Sequence, residues 1–265
     1  MRYFFHIAYS GANYSGWQKH PDGRSVQQVL ELSLSQIFKK EVWIVGCGRT
    51  DTRVNASQFF FHLDTAETWD YDLLFRLNKL LPNDIAVFEI ISVNDKAHAR
   101  FDAVERCYNY FIHTKKDPFL SSISSYYPLK DLDIDEMNKA SKLLLNYTDY
   151  TAFCKTPAKN THSICNITQA AIFVNNAGDR LRFHISANRF LGKMVRIIVG
   201  KLIDIGTGSL SIAEFEAALI NPQLIQKVKP AYPQGLYLSK VAYPFLNLPE
   251  RTDFIDLLMS GDWKP

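Results

Sequence analysis

The chain is poor in the residues that would mark a metal centre or a disulfide scaffold. Its four cysteines, Cys47, Cys107, Cys154 and Cys165, form no C-x-x-C pair. That spacing excludes the usual zinc and dithiol redox motifs and reads as core thiols in a reducing compartment. The seven histidines show neither H-x-H nor H-x-x-x-H spacing, so no metal site is expected. No apolar run approaches the ~20 residues that a membrane helix needs. The start, Met1-Arg2-Tyr3-Phe4-Phe5-His6-Ile7, carries no secretory pattern, and the expectation is a soluble, cytoplasmic protein. Strong net charge is absent too: the balance is +3.

What is abundant is apolar and aromatic. Of 265 residues 47% are hydrophobic, with 18 Phe, 13 Tyr and 4 Trp, which excludes disorder and allows one large or two ordinary domains. Basic residues cluster locally: Arg189, Lys193, Arg196 and Lys201 fall in a stretch without an acidic one. Such a stretch is a solvated face or a contact for a polyanion.

Periodicity gives the element order. Tyr3 to Tyr9 is a strand, and Ser25 opens a helix with Val26, Val29, Leu30, Leu34 and Ile37 inward. Val42 to Cys47 and Ser57 to Leu63 are strands. Asp70 is the next N-cap, for a helix ending before Pro82, and Ile85 to Val93 is a strand. The order is βαββαβ, the ferredoxin-like unit. It then repeats. Strands are expected over Val104 to Ile112, Ile164 to Val174, Leu181 to Ala187 and Leu236 to Tyr243. Helices are expected from Asp133, over Phe190 to Ile205 and from Ser211, and the tail after Pro244 is short and amphipathic. The fold expected is α+β: two ferredoxin-like halves with mostly antiparallel sheets, 1–102 and 103–265, and a cleft between them that suits an elongated polyanion with bases to stack.

One stretch concentrates chemistry: Cys47-Gly48-Arg49-Thr50-Asp51-Thr52-Arg53-Val54-Asn55-Ala56, a loop between two expected strands. A carboxylate beside Arg49 stays ionised and is a potential nucleophile or base. On the local pattern alone, an Asp-bearing turn with surface arginines is the favoured reading. Tyr108 shares a strand face with Arg106 and Tyr110; it is a stacking surface and weak acid, or a half-buried sheet residue like Tyr110. Arg196, amid Met194-Val195 and Ile197-Ile198-Val199, is either partly buried against an anion such as Asp51 or on the solvated side of its helix. His98 reads as structural, and Arg100 beside it is in a position to reach phosphate.

Further motifs run along the chain in a fixed order. They are Tyr9-Ser10-Gly11 with Tyr14-Ser15-Gly16-Trp17-Gln18, Ser25-Val26-Gln27, Gly48-Arg49-Thr50-Asp51, Leu80-Leu81-Pro82 with Asp84-Ile85-Ala86-Val87, and His98-Ala99-Arg100-Phe101. After them come Arg106 with Tyr108 and Tyr110, Met194-Val195-Arg196 with Ile198-Val199-Gly200, and Gly235-Leu236-Tyr237-Leu238. Together they resemble the tRNA pseudouridine synthase A family over nearly the whole chain. The resemblance implies isomerisation of uridine to pseudouridine at positions 38, 39 and 40 of the tRNA anticodon arm, without cofactor, by a homodimer. It implies Asp51 as the catalytic aspartate, Arg49 as the base-flipping arginine, Tyr108 as the active-site tyrosine and Arg196 as the partner of the aspartate.

Two departures stand out. The family continues G-R-T-D with a small residue and Gly-Val-His, where this chain has Thr52-Arg53-Val54-Asn55. If that glycine has positive φ, an arginine there costs roughly 1 kcal/mol. Asn55 replaces a polar histidine but does not titrate. Gly192-Lys193 stands where a bulkier pair is common. These differences keep two alternatives open: a paralogue acting on other RNA, and a tRNA-binding protein with impaired chemistry.

Overall fold

The structure is a computed structural model that describes residues 1–66, 68–159, 162–221 and 229–251. Two compact units divide after Val104, and the stretch that starts at Tyr237 belongs with the first. The expected division was 102/103, with everything beyond it in the second half.

The first unit runs β1 (Arg2–Tyr9), α1 (Val26–Phe38), β2 (Val45–Gly46), β3 (Asn55–Asp64), α2 (Leu73–Leu80) and β4 (Ile85–Val93). Its strands lie in the order β4-β1-β3, all antiparallel, with β2 on β3. The apolar and aromatic runs Phe4-Phe5 and Phe59-Phe60-Phe61 cross side by side and are fully buried. Both faces of β3 are covered, which explains its continuous rather than alternating apolar run. Phe5 and Phe61 stack at 4.6 Å on one face; Phe60 meets Tyr243 edge-on at 5.3 Å on the other. The chain after β9 (Leu236–Ala242) forms that second cover, so the described part of the tail is structural. Gln58 donates to Pro249 O at 2.9 Å, and the Arg251 guanidinium lies 3.7 Å from the Phe88 ring centre. From Tyr237, β9 also adds to β3 in parallel, Asn55 against Tyr237 and Ala56 against Leu238.

Local chemistry sets the helix starts. Ser25 and Asp133 accept from the backbone of Gln28 and Glu136, and Ser211 with Glu214 forms the full capping box. Three expectations need correction. The expected strand Val42–Cys47 shrinks to Val45–Gly46, because side chains of α1 and its end take its backbone: Glu31 and Gln27 bond Ile44, and Ser35 accepts from Val42 N. The cap of α2 is Asp72 rather than Asp70. The expected 190–205 helix begins only at Met194, because Lys193 is left-handed with φ 63°.

The second unit contains β5 (Glu105–His113), β6 (Ser125–Tyr126), α3 (Ile134–Leu143), β7 (Ile167–Val174), β8 (Arg180–Ala187), α4 (Met194–Gly206) and α5 (Ile212–Ile220). Its strands lie β5-β8-β7, antiparallel, with β6 parallel to β5. A turn at Asn175–Gly178 closes the β7–β8 hairpin, where Asn175 Oδ1 accepts from Asp179 and Arg180 N. Helix α3 packs on α4 so closely that a side chain at Gly206 would meet Met137 Sδ at 2.5 Å. Phe153 and Phe215 join α5 to that core at 5.5 Å. Among the described residues no helix is long and apolar enough to cross a membrane.

Candidate active site

Asp51 sits in the β2–β3 connection, half-buried between an exposed Arg49 and an exposed Thr52-Arg53 pair. The connection is clasped by the 10–17 loop that follows β1. Thr50 Oγ1 lies 2.9 Å from the buried Tyr9 hydroxyl, and Thr50 O accepts from Trp17 N at 3.2 Å. Arg53 N donates to Tyr14 O at 3.1 Å, Thr52 Oγ1 to Ser15 O at 3.3 Å, and Val54 N to Asp51 O at 3.1 Å. At the far end Asn55 Oδ1 accepts from Gly11 N at 2.8 Å. Thr50, Thr52, Arg53 and Asn55 are therefore each tied to one neighbouring loop.

This clasp explains two glycines. A Cβ at Gly11 would lie 2.1 Å from Val54 O, and one at Gly16 would lie 2.4 Å from Thr50 O; Gly16 also has φ +106°. Only residues without a side chain allow the two backbones to approach so closely. The clasping loop is itself anchored to the start of β4. Asp84 accepts from the Tyr14 hydroxyl at 2.5 Å, from Asn13 Nδ2 at 3.0 Å and, through its carbonyl, from Ser10 N at 2.9 Å. Burial, then the Asp84 bond, holds the Tyr14 phenol well above its ordinary value, so it stays a donor. A bulge in β3, between the pairs Ile7–Phe59 and Tyr9–Ala56, turns the strand just after the Asp51 loop. Bulges beside active sites commonly re-aim side chains in this way.

Arg53 has φ 63°. The conditional expectation for this position is met: the backbone here is left-handed, a conformation suited to glycine. Asn55 is 2% exposed, and its amide does structural work that its sequence position did not reveal. Tyr9 and Asp84 belonged to recognised motifs without an assigned role. The signal was a polar group at the end of β1 and another just before β4, each of which needs a partner when folded against apolar strands.

Arg100 is exposed on a tight turn. His98 Nδ1 accepts from Arg100 N at 3.1 Å and Phe101 N at 3.3 Å, and His98 N donates to Asp102 at 2.8 Å. His62 Nδ1 accepts from Ala99 N at 3.1 Å, and Tyr243 donates to Ala99 O at 2.6 Å. His98 is thus structural, as expected, and presents Arg100 outward. Burial lowers its pKa and pushes that of His62 down to about 4.

Tyr108 and Arg196 belong to the second unit. Tyr108 is half-buried on β5, opposite Ile185, with Phe190 edge-on at 5.0 Å. Tyr110 is fully buried rather than half-buried. Its hydroxyl donates to Tyr232 O at 2.7 Å and lies 2.8 Å from Ser125 Oγ, and burial drives its phenol upward. Arg196 is half-buried in the first turn of α4. Its Nε donates to Ala231 O at 2.7 Å, while Ala231 N donates to Arg196 O at 2.8 Å. Gly200 lets the 229–231 chain come close, since a Cβ there would lie 2.6 Å from Lys229 O. The guanidinium plane is fixed by backbone. Of the five candidates, Arg49 and Asp51 share one loop, Arg100 stands on a separate turn of the same unit, and Tyr108 and Arg196 are each held within the other.

The four cysteines are buried free thiols, and burial pushes Cys165 up to about 11, far from a reactive thiolate. Among the described residues no group of three or more His, Cys, Asp or Glu is placed to hold a metal ion.

Comparison with known proteins adds an independent finding. A family model described as tRNA pseudouridine synthase matches residues 140–244. The chain is 40% identical to tRNA pseudouridine synthase A of Porphyromonas gingivalis over 248 residues, covering 92% of this chain and 97% of that protein. It is 41% identical to the protein of the same name from Parabacteroides distasonis, covering 92% and 96%. With the Staphylococcus aureus protein of that name the identity is 33%, covering 91% of each.

Proposed function

Since the chain belongs to the tRNA pseudouridine synthase A family, isomerases that make pseudouridine in tRNA, we propose that it converts uridines 38, 39 and 40 of the anticodon stem-loop, with Asp51 as the catalytic group. The observation that carries this reading is the clasp around Asp51: a carboxylate held by fixed backbone on a loop that two glycines allow to close. Pre-set geometry is what a glycosidic step requires of a single carboxylate.

The target base lies in or beside a stem and must leave the stack before reaction. Arg49, exposed two residues before Asp51, fills the vacated space or holds the phosphate. Asp51 then starts cleavage of the N-glycosidic bond, either by attack at C1′ or by removal of the C2′ proton. The detached base rotates against Tyr108, C5 bonds to C1′, and the C5 proton is lost. Atoms balance without oxidant, reductant or cofactor. Arg196 pairs with the aspartate in this reading, and Arg100 contacts backbone phosphate. The strand order β4-β1-β3 with β2 outermost supports reading the first unit as ferredoxin-like, and the order β5, α3, β7, β8, α4 supports the same reading for the second up to its closing strand, which from Tyr237 lies with the first unit. The working form is a homodimer in the cytoplasm, where its tRNA is.

The test is tritium release from [5-³H]uridine-labelled tRNA by the purified protein, because each rejoining through C5 expels that hydrogen. Release that maps to positions 38–40 supports the proposal. Release mapped to other uridines favours the altered-substrate paralogue, for which Arg53, at φ 63°, and Asn55 are the motivating features. Tight, salt-sensitive tRNA binding without release favours a binding protein.

A further inference from the structure

We propose that Asn55 is a positioning residue for Asp51, a role that rests on the pseudouridine synthase reading above. Asn55 is the first residue of β3 and ends the loop that carries Asp51. Asparagine is poorly suited to a strand, and a buried amide is retained only where it is bonded. Here it is 2% exposed, and its Oδ1 takes the Gly11 amide at 2.8 Å. Gly11 in turn lies under Val54 O, at a separation no Cβ would permit. Other ties across the two loops run through backbone groups of residues 50 and 53, or through the exposed Thr52 hydroxyl. Two buried side-chain ties, Thr50 with Tyr9 and Asn55 with Gly11, stand one on either side of Asp51 in the chain. Thr50 fixes where the loop begins its descent to Asp51. Asn55 fixes where it re-enters the sheet, next to the β3 bulge. Without an acceptor at 55 the Gly11 amide loses its partner, the 10–17 loop relaxes away from Val54, and the carboxylate drifts from its reacting position.

The experiment compares three variants of the full chain in tritium release, thermal melting and amide hydrogen exchange. Asn55→Leu keeps the branched outline of the side chain and removes the acceptor. Asn55→His restores an acceptor through its neutral ring nitrogen. Gln58→Leu removes a buried amide of the same strand, which bonds Val241 N and Pro249 O but lies outside the loop. The expected result for Asn55→Leu is a kcat lower by about tenfold to 100-fold, the cost of a small misplacement. The KM for tRNA stays unchanged, and exchange quickens in peptides covering 10–17 and 48–54. Asn55→His recovers most of the kcat. Gln58→Leu lowers the melting temperature without lowering kcat. If Asn55→Leu does not fold, Asn55→Ser, whose oxygen falls short of Gly11, gives the same readout. The proposal is overturned by full kcat in the Leu or Ser variant, by no recovery in Asn55→His, or by an equal kcat loss in Gln58→Leu. Wild-type protein that releases no tritium overturns the functional reading itself, and is thereby distinct from a failure at Asn55 alone.

Discussion

Replacing Arg53 by glycine should stabilise the first unit, which is unusual for removal of a whole side chain. The residue has φ 63°. A non-glycine residue in the left-handed region carries a steric cost of about 1–2 kcal/mol. Glycine removes that cost but gains freedom in the unfolded chain, worth about 0.5–1 kcal/mol against folding. The difference leaves about 0.5–1 kcal/mol in favour of Arg53→Gly. With a urea slope of about 2–3 kcal/mol/M, the midpoint should rise by about 0.3 M at unchanged slope. Trp17 is a suitable reporter, buried with its ring 4.1 Å from Phe59 in the same unit. Arg53→Ala separates backbone from charge: it keeps the strained φ and should leave the midpoint near that of the wild type. A midpoint that falls in Arg53→Gly, or an alanine variant that gains as much as glycine, would refute the argument from backbone strain.

Other outcomes follow from the same geometry. Gly16→Ala places a Cβ 2.4 Å from Thr50 O at φ +106°; strain of about 1–3 kcal/mol is expected, with a fall in tritium release larger than the loss of tRNA binding. Acid should weaken the first unit through three of its histidines, His6 and His62 buried and His98 half-buried. Burial lowers His6 and His98 and brings His62 down to about 4 from the ordinary 6.5. The unfolded chain therefore binds more protons between those values. Stability is fully present above pH 6.5 and declines as pH falls toward 4, with His62 contributing up to about 3 kcal/mol of the loss. Urea midpoints measured across that window check the sign, and His62→Gln should flatten the slope.

Much of this architecture was legible because local chemistry decides it. Ser25, Asp133 and Ser211 announce their helices by capping, and Ile85 to Val93 is a strand as read from its β-branched run. The readings that failed depend on contacts distant in sequence. Val42 to Ile44 has strand propensity, but Glu31, Gln27 and Ser35 satisfy its backbone from the side of α1. Tyr110 alternates like a half-exposed strand residue, yet Ser125 and Tyr232 enclose its hydroxyl. The loop of Asp51 stood out by residue type. Its clasp did not, because Gly11, Gly16 and Asn55 are placed by a fold that brings 10–17 against 48–55. The left-handed φ at Arg53 was foreseen only as a condition, since an arginine gives no local sign of it.

The central claim is that Asp51 carries the chemistry, and the direct measurement is tritium release by Asp51→Asn beside the wild type, with tRNA affinity measured in parallel. The substitution keeps the shape of the loop and removes the ionisable carboxylate. The account predicts unchanged binding and release reduced by at least about 100-fold, a modest floor for a lost acid–base group. Release by Asp51→Asn at a rate close to the wild type would contradict it and move the chemistry to another residue.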